Sequence, residues 1–373
     1  MLPDSERLTK IFCELAAVPS PSGCERQVAD YVKAHLGEMG IQVQEDGTGQ
    51  EIGGDTGNLY ALIPGARGER DPVIALGAHL DTVAVNGKID PVLRDGIFHN
   101  QEPTILGADN KATVAAIIHV VEQLAASPDR PAFEVFFSVA EELGVLGIKY
   151  MDPQRISSPM AAVFDSAGPV GGIIVRAPTQ NAVGALFRGK AAHAGVEPES
   201  GRSAIRAAAL AISDMDLGRI DEETTANIGI IKGGSAVNIV PDLCRILGEA
   251  RSLDHNRLSV VVQDMVAAMQ FAGTSVGVDV EIDVTEEYKA FNLDESSPAV
   301  ALAARAVREA GFVPSFLASG GGSDANALND RGIPTVNLDC GMRAVHTPDE
   351  HIALADLEGM TRVMASMLLE AQR

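Results

Sequence analysis

Seven acidic or histidine residues stand out for where they fall along the chain. His79-Leu80-Asp81 closes an apolar run that begins at Val73. Residues two apart on a strand point to the same face, so His79 and Asp81 would sit side by side. A neutral imidazole is a good zinc ligand, and a neighbouring carboxylate can orient it. In isolation the same pair also suits a histidine packed in a polar turn. Asp109, in Gly107-Ala108-Asp109-Asn110-Lys111, precedes a long apolar stretch, where the plainest role for an aspartate is a helix N-cap. Glu141 and Glu142 follow the run Phe133 to Val139. Adjacent carboxylates at the end of an apolar strand repel one another and lose hydration, which a cation would relieve. One could then bind metal while the other takes a proton from water. Two solvated charges opening a loop are the plainer alternative. Asp165 ends a short apolar run before Ser166-Ala167-Gly168, where a turn aspartate is ordinary. His346 lies beyond the last apolar run, where an exposed loop histidine is common.

Together these residues supply five hard or borderline ligands and a spare carboxylate, all beside strand ends. In open α/β sheets ligands bind outside the carboxyl ends of strands. Zinc accepts such a histidine and carboxylate set. Two ions about 3.5–4 Å apart need a bridging carboxylate and can share an activated water. Other hydrolytic designs are excluded by motif. There is no His-Glu-x-x-His, no Gly-x-Ser-x-Gly, and no Gly-Lys-Ser/Thr after Gly320 to Gly322.

The elements that must position these residues alternate in type. Ser5 to Ala16 and Cys24 to Gly40 are periodic at helical spacing. Val73 to His79, Phe133 to Val139 and Ala161 to Asp165 read as buried strands, and Ala112 to Ala126 as an apolar helix. This alternation predicts an α/β domain with a mainly parallel sheet and flanking helices. From Thr179 the pattern changes to β-α-β-β-α-β. Its strands are expected in Gln180 to Gly189, Asn227 to Lys232, Val237 to Leu253 and Val278 to Val284. Its helices are expected at Arg202 to Met215 and Asp254 to Phe271. That order is ferredoxin-like. The first style returns with a helix at Ser297 to Ala310, strands at Val313 to Ala318 and Pro334 to Leu338, and a closing helix at Leu354 to Leu369. The expected organisation is a discontinuous domain, 1–178 with 289–373, interrupted by an inserted domain at 179–288.

Composition bounds the partners. The chain has 373 residues, 46% hydrophobic and 21% charged, enough for sizeable cores. The net charge is −22, which repels nucleic acid and anionic membranes. Aromatic residues make up only 4% and Trp is absent, so base-stacking platforms are not expected. Cys13, Cys24, Cys244 and Cys340 have no paired spacing, which fits a reducing cytoplasm. Met1 to Ala17 lacks the pattern of a signal peptide, and no apolar run is long enough to span a membrane.

Three stretches in this order, Gly77-Ala78-His79-Leu80-Asp81-Thr82-Val83, Gly107 to Lys111 and Ala140-Glu141-Glu142-Leu143-Gly144, resemble the co-catalytic zinc peptidase family. That family includes peptidase T, carboxypeptidase G, aminoacylases and succinyl-diaminopimelate desuccinylase. The resemblance covers nearly the whole chain and implies two zinc ions, with cobalt or manganese also suited. It implies that His79 and Asp165 bind one ion, Glu142 and His346 the other, and that Asp109 bridges them. Glu141 becomes the general base and Asp81 the residue that orients His79. The insertion resembles the family's lid and dimerisation domain, so a homodimer through it is implied. Gly189 to Gly195 looks like the segment supplying an oxyanion-stabilising histidine, here His193, often across a dimer interface. Gly233 to Asn238 and Glu249-Ala250-Arg251 look like substrate-contacting stretches, with Asn238 and Arg251 as the contacts. Arg251 suits a substrate carboxylate by bidentate pairing, and equally suits a surface ion pair.

Gly321 to Asn326 and the run through His346 look closest to peptidase T-like proteins, although Leu338 to Val345 departs from peptidase T. The expected function is amide hydrolysis in short peptides by an aminopeptidase or tripeptidase. An N-acyl amino acid deacylase is the alternative enzyme. A non-catalytic metal- or peptide-binding protein is a further alternative, against which the retention of Glu141 counts.

Overall fold

The computed structural model describes residues 3–125 and 127–372. Met1, Leu2, Ala126 and Arg373 lie outside the described residues, and with them the last position of the helix expected from Ala112. The chain divides into two compact units, Met1–Arg176 with Phe291–Arg373, and Ala177–Ala290.

The first unit is built on a mixed sheet that is parallel at its centre. Ala75–His79 lies between Phe133–Ser138 and Ala161–Ser166, and Thr335–Asp339 follows beside Ala161–Ser166, all running the same way. The flanks are antiparallel. Leu59–Ile63 pairs with Phe133–Ser138, Gln44–Glu45 with Leu59–Ile63, and Gly172–Ala177 with Thr335–Asp339. Ser315–Ala318 runs parallel to Gly172–Ala177, and Phe291–Asn292 completes the sheet. The central strands Ala75–His79 and Phe133–Ser138 are buried along their whole length, as strands covered on both faces must be.

Helices supply that cover. Ser5–Ala16 buries Leu8, Ile11, Phe12 and Leu15, the spacing of one helical face. Ala108–Ala125 is buried on nearly every side, so its apolar residues need no periodicity. Pro298–Glu309 and Leu354–Glu370 bury residues in the same core. Gly77 lets the sheet close around Phe136, since a Cβ at Gly77 would fall 1.9 Å from the Phe136 ring.

The same unit carries a small second sheet of Pro91–Arg94, Ile97–Asn100 and His351–Ala353, which the sequence reading does not assign. Its hairpin turns at Asp95-Gly96, with φ of 50° and 78°. Positive φ at both positions is the type I′ geometry that an Asp-Gly pair favours. The dipeptide was therefore the available signal, and the flanking half-exposed strands gave little alternation to support it.

The second unit has its own antiparallel sheet, ordered Gly218–Arg219, Thr224–Gly233, Leu243–Ser252, Thr179–Arg188, Asp279–Tyr288. Helices Ala204–Asp214 and His255–Val276 pack on it around Phe187, Ile246, Val261 and Met269. The four long strands and two helices follow the ferredoxin-like order, with the two-residue strand at Gly218–Arg219 as an addition. Ser203 and Asp254 cap the two helices, each side chain accepting backbone N–H groups of the first turn.

Because this unit is one continuous stretch with its own core, residues 177–290 expressed alone should fold. Circular dichroism should report mixed helix and strand, with a cooperative thermal transition. A broad, non-cooperative melt of the fragment would contradict that independence.

Candidate metal centre

Most site residues of the first unit sit at or beyond the ends of the parallel strands, with Asp109 at the start of the long helix. His79 is the last residue of its strand, and Asp165 is the fifth residue of Ala161–Ser166. Glu141 and Glu142 open a short 3-10 turn after Phe133–Ser138. Asp109 and Asn110 precede the regular part of the long helix, with non-helical φ/ψ of −80°, 105° and −116°, 28°. The Asp109–Asn110 peptide is cis. His346 lies on the loop after Thr335–Asp339.

The structure brings these residues together in two groups that share Asp109. His79 Nε2 lies 3.1 Å from Asp109 Oδ1 and 3.4 Å from Asp165 Oδ1. His346 Nε2 lies 2.9 Å from Glu142 Oε1 and 3.2 Å from Asp109 Oδ2. Within each group the candidate ligand atoms all lie within 4.8 Å of one another, so each could hold a metal ion. Asp109 turns one oxygen to each imidazole, an arrangement an N-cap would not need.

Asp81 connects the two halves. Its carboxylate is fully buried, with Oδ1 accepting the Glu141 N–H at 2.9 Å and Oδ2 accepting the Glu142 N–H at 3.1 Å. The Ser22 hydroxyl donates to Oδ2 at 2.7 Å. His79 Nδ1 lies 3.0 Å from the Asp81 carbonyl oxygen and 3.3 Å from Oδ1, which leaves Nε2 facing the acidic group. Asp81 therefore orients the histidine, chiefly through its carbonyl oxygen, and the two-glutamate turn through its carboxylate.

Several participants escape the sequence reading. Asn110 Nδ2 donates to Asp165 Oδ1 at 2.7 Å, and Asn337 Oδ1 accepts the Asp165 N–H at 3.0 Å. Glu25 accepts the Ala140 N–H at 3.0 Å and is itself fully buried. Asp324, which is bonded to the Ser138 hydroxyl, and Glu350 are buried as well. Neutral or single acidic residues in loops carry no spacing signal, and only the convergence of separate loops reveals them.

The electrostatics are those of a site built for cations. Burial pushes Glu141 well above the usual carboxylate range, and Asp165 adds to the push. Burial likewise lifts Asp165 to about 7 and Asp324 to about 6. Burial opposes charge on His79, yet Asp165, Asp109 and Asp81 outweigh it and raise the ring's pKa. Hydrogen bonds to Asp109 and Glu142 raise His346 to about 10. Asp109, though buried, is held below its ordinary value by the two imidazoles. Bound cations would stabilise all of these carboxylates in the ionised form.

Backbone strain gathers here too. Among the described residues five non-glycines have positive φ, and Ala140, Ala344 and His346 are three of them, at 50°, 51° and 65°. Such conformations persist where surrounding contacts impose them, and they cluster at functional sites.

The remaining sequence candidates lie in the second unit. His193 and Asn238 are exposed on neighbouring loops, where the Ala194 N–H donates to the Asn238 carbonyl at 2.9 Å. Arg251 is half-buried, and its guanidinium engages both oxygens of Glu249 at 3.0 and 2.9 Å.

Comparison with known proteins gives this geometry a family. Protein YqjE of Bacillus subtilis strain 168 is 38% identical over 371 residues, covering 99% of this chain and 100% of that one. The crystal structure of aminopeptidase PepT from Bacillus cereus ATCC 10987 matches with a TM-score of 0.85 and 38% identity over 100% of both chains. The structure of a tripeptidase from Staphylococcus aureus subsp. aureus Mu50 matches with a TM-score of 0.90 and 32% identity, again over 100% of both. The model of peptidase family M20/M25/M40 matches residues 75–370, a span that holds both candidate ligand groups, and the chain belongs to that family.

Proposed function

We propose that this metallopeptidase is a two-zinc aminopeptidase that removes the N-terminal residue from short peptides, tripeptides foremost. The observation that carries the reading is Asp109, whose two oxygens face two separate groups of ligand atoms while Glu141 stands on the turn beside them. Full-length similarity to a PepT aminopeptidase and a tripeptidase supports the substrate class.

In this reading His79 and Asp165 hold one ion, Glu142 and His346 the other, and Asp109 bridges. Zinc suits the mixed imidazole and carboxylate donors, and cobalt or manganese would also fit. Ions bound there would supply Lewis-acid polarisation of the scissile carbonyl and would lower the pKa of the attacking water. Glu141 takes the proton from that water on its carboxylate and delivers it to the departing amine nitrogen. Its place on the turn held by Asp81, beside the two ligand groups, suits this role, since a general base must stand within reach of the proton it takes. Asp81, by holding His79 Nδ1, leaves Nε2 free to ligate an ion between Asp109 and Asp165. His193 would stabilise the developing oxyanion, and Asn238 and Arg251 would contact substrate, Arg251 after exchanging Glu249 for a substrate carboxylate.

The second unit serves as lid and dimerisation domain in the same reading. Ile230 and Ile231, 43% and 51% exposed, lie on the strand Thr224–Gly233. On its outer side the strand pairs with Gly218–Arg219 only at Thr225 and Ala226. An edge with unpaired backbone and exposed apolar side chains is a template for a second chain. Four free cysteines fit the reducing cytoplasm. Among the described residues no helix is long and apolar enough to cross a membrane.

A panel of free tripeptides, dipeptides and N-acyl amino acids, read by mass spectrometry, tests the substrate class. Release of the N-terminal residue from tripeptides is expected, whereas cleavage confined to N-acyl compounds would replace the aminopeptidase reading with a deacylase. Glu141→Gln should lower kcat on the cleaved peptide by about 10²–10⁴-fold, the usual contribution of a positioned acid–base group. Elemental analysis should still find two ions per chain in that variant, and full activity in it would remove Glu141 from the mechanism. Light scattering should give a dimer mass for the native chain and a monomer mass for Ile231→Lys. A native monomer would defeat the dimer proposal.

A further inference from the structure

We infer that Glu350 is a positioning residue that fixes the backbone of Asp109 and anchors to it the loop carrying His346, an inference that rests on the two-metal reading above. Glu350 is only 2% exposed. One of its carboxylate oxygens accepts the Gly107 N–H at 2.8 Å, and the other accepts the Asp109 N–H at 3.0 Å. Both oxygens are thus spent on the turn that delivers Asp109 between the two histidines. Gly107 enters that turn with φ of 75°, a conformation open to glycine at little cost.

The other end of the connection is the His346 loop. Glu350 lies four residues after His346, and the chain between them is tightly tied. The Glu350 N–H donates to the Thr347 carbonyl at 3.1 Å, and the Thr347 hydroxyl donates to the Ala344 carbonyl at 2.7 Å. Arg343 and His351 exchange backbone hydrogen bonds of 2.9 and 3.1 Å, which closes the loop at its base. His346 therefore rides on a closed loop whose buried carboxylate grips the backbone of Asp109. Hydrogen bonds to a charged acceptor are stronger than neutral ones, so both grips are firm.

This arrangement is asymmetric between the two ligand groups. His79 is oriented by Asp81, and Asp165 by Asn110 and Asn337, so the first group has supports of its own. In the second group Glu350 supports two of three ligands, Asp109 directly and His346 through the loop. Removing Glu350 should accordingly weaken the ion held by Asp109, Glu142 and His346 more than the ion held by His79, Asp109 and Asp165. Glu350→Gln keeps one acceptor oxygen and sets an amide NH2 against a backbone N–H, whereas Glu350→Ala removes both acceptors.

The test titrates the metal-stripped full-length chain with Zn²⁺ in competition with a chromophoric chelator, for the native chain and both variants. Melting temperature and circular dichroism are recorded in parallel, and Glu350→Gln carries the test if Glu350→Ala does not fold. The native chain should bind two ions. In the variants one ion should bind about 10–100-fold more weakly, the usual effect of losing a ligand's supporting partner, and the other should bind as in the native chain. Peptidase kcat should recover at saturating Zn²⁺ with KM unchanged, which a merely destabilised fold would not show. Two unchanged affinities, or two affinities weakened equally, would overturn the inference. A native chain that binds no pair of ions would instead remove the two-metal reading beneath it.

Discussion

Carboxylates and imidazoles crowd one end of a parallel sheet, and the mutual repulsion of the carboxylates is the constraint around which the rest is arranged. Asp109, Asp165, Glu141 and Glu142 stand close together, and cations or fixed donors relieve the repulsion among them. The proton affinities express this conflict, since burial lifts Glu141 and Asp165 while the imidazoles hold Asp109 down. A constellation so unfavourable alone is what two divalent ions would stabilise.

Backbone N–H groups resolve part of the conflict before any ion binds. Asp81 accepts from Glu141 and Glu142, Glu350 from Gly107 and Asp109, and Glu25 from Ala140. Asp81 and Glu350 have both carboxylate oxygens met by main-chain N–H groups, whereas Glu25 keeps one oxygen without a partner and burial lifts it to about 7; in each case the bonds hold the turn that donates them. The Asn110 amide does the corresponding work for the Asp165 carboxylate, and the Asn337 side-chain oxygen holds the Asp165 backbone N–H. The fully buried strands beneath give these turns a rigid base, and the left-handed residues Ala140, Ala344 and His346 are tolerated because the base over-determines them.

The second unit follows different physics. Its strands lie in one antiparallel sheet whose helices carry small residues such as Ala204, Ala207, Ala208 and Ala211 toward the core. Its exposed apolar residues include Ile230 and Ile231, on the strand Thr224–Gly233 beyond its short pairing with Gly218–Arg219, and Phe271 on the helix His255–Val276. Close packing of helix on sheet explains the alanines.

How much could be read along the chain depended on how local the signal was. Buried runs such as Phe133 to Val139, the ferredoxin-like order of the insertion, and the motifs around His79, Asp109 and Glu141 are contiguous, so residue type and spacing disclosed them. The hairpin at Asp95-Gly96 was within reach of its turn signal, and the strands Leu59–Ile63 and Gly172–Ala177 stayed unassigned although they are as long as Ala75–His79 and Ala161–Ser166. What no window of sequence contains is the meeting of segments far apart. Asp109 faces His346 across more than half the chain, Asn337 supports Asp165, and Glu350 grips Gly107. The chain by itself determined the donors and the order of the elements, because those follow from local chemistry. Only the tertiary structure decided how closely those donors approach one another and which buried groups hold them, because hydrogen bonds and Coulomb interactions act through a few ångströms of space whatever the separation in sequence.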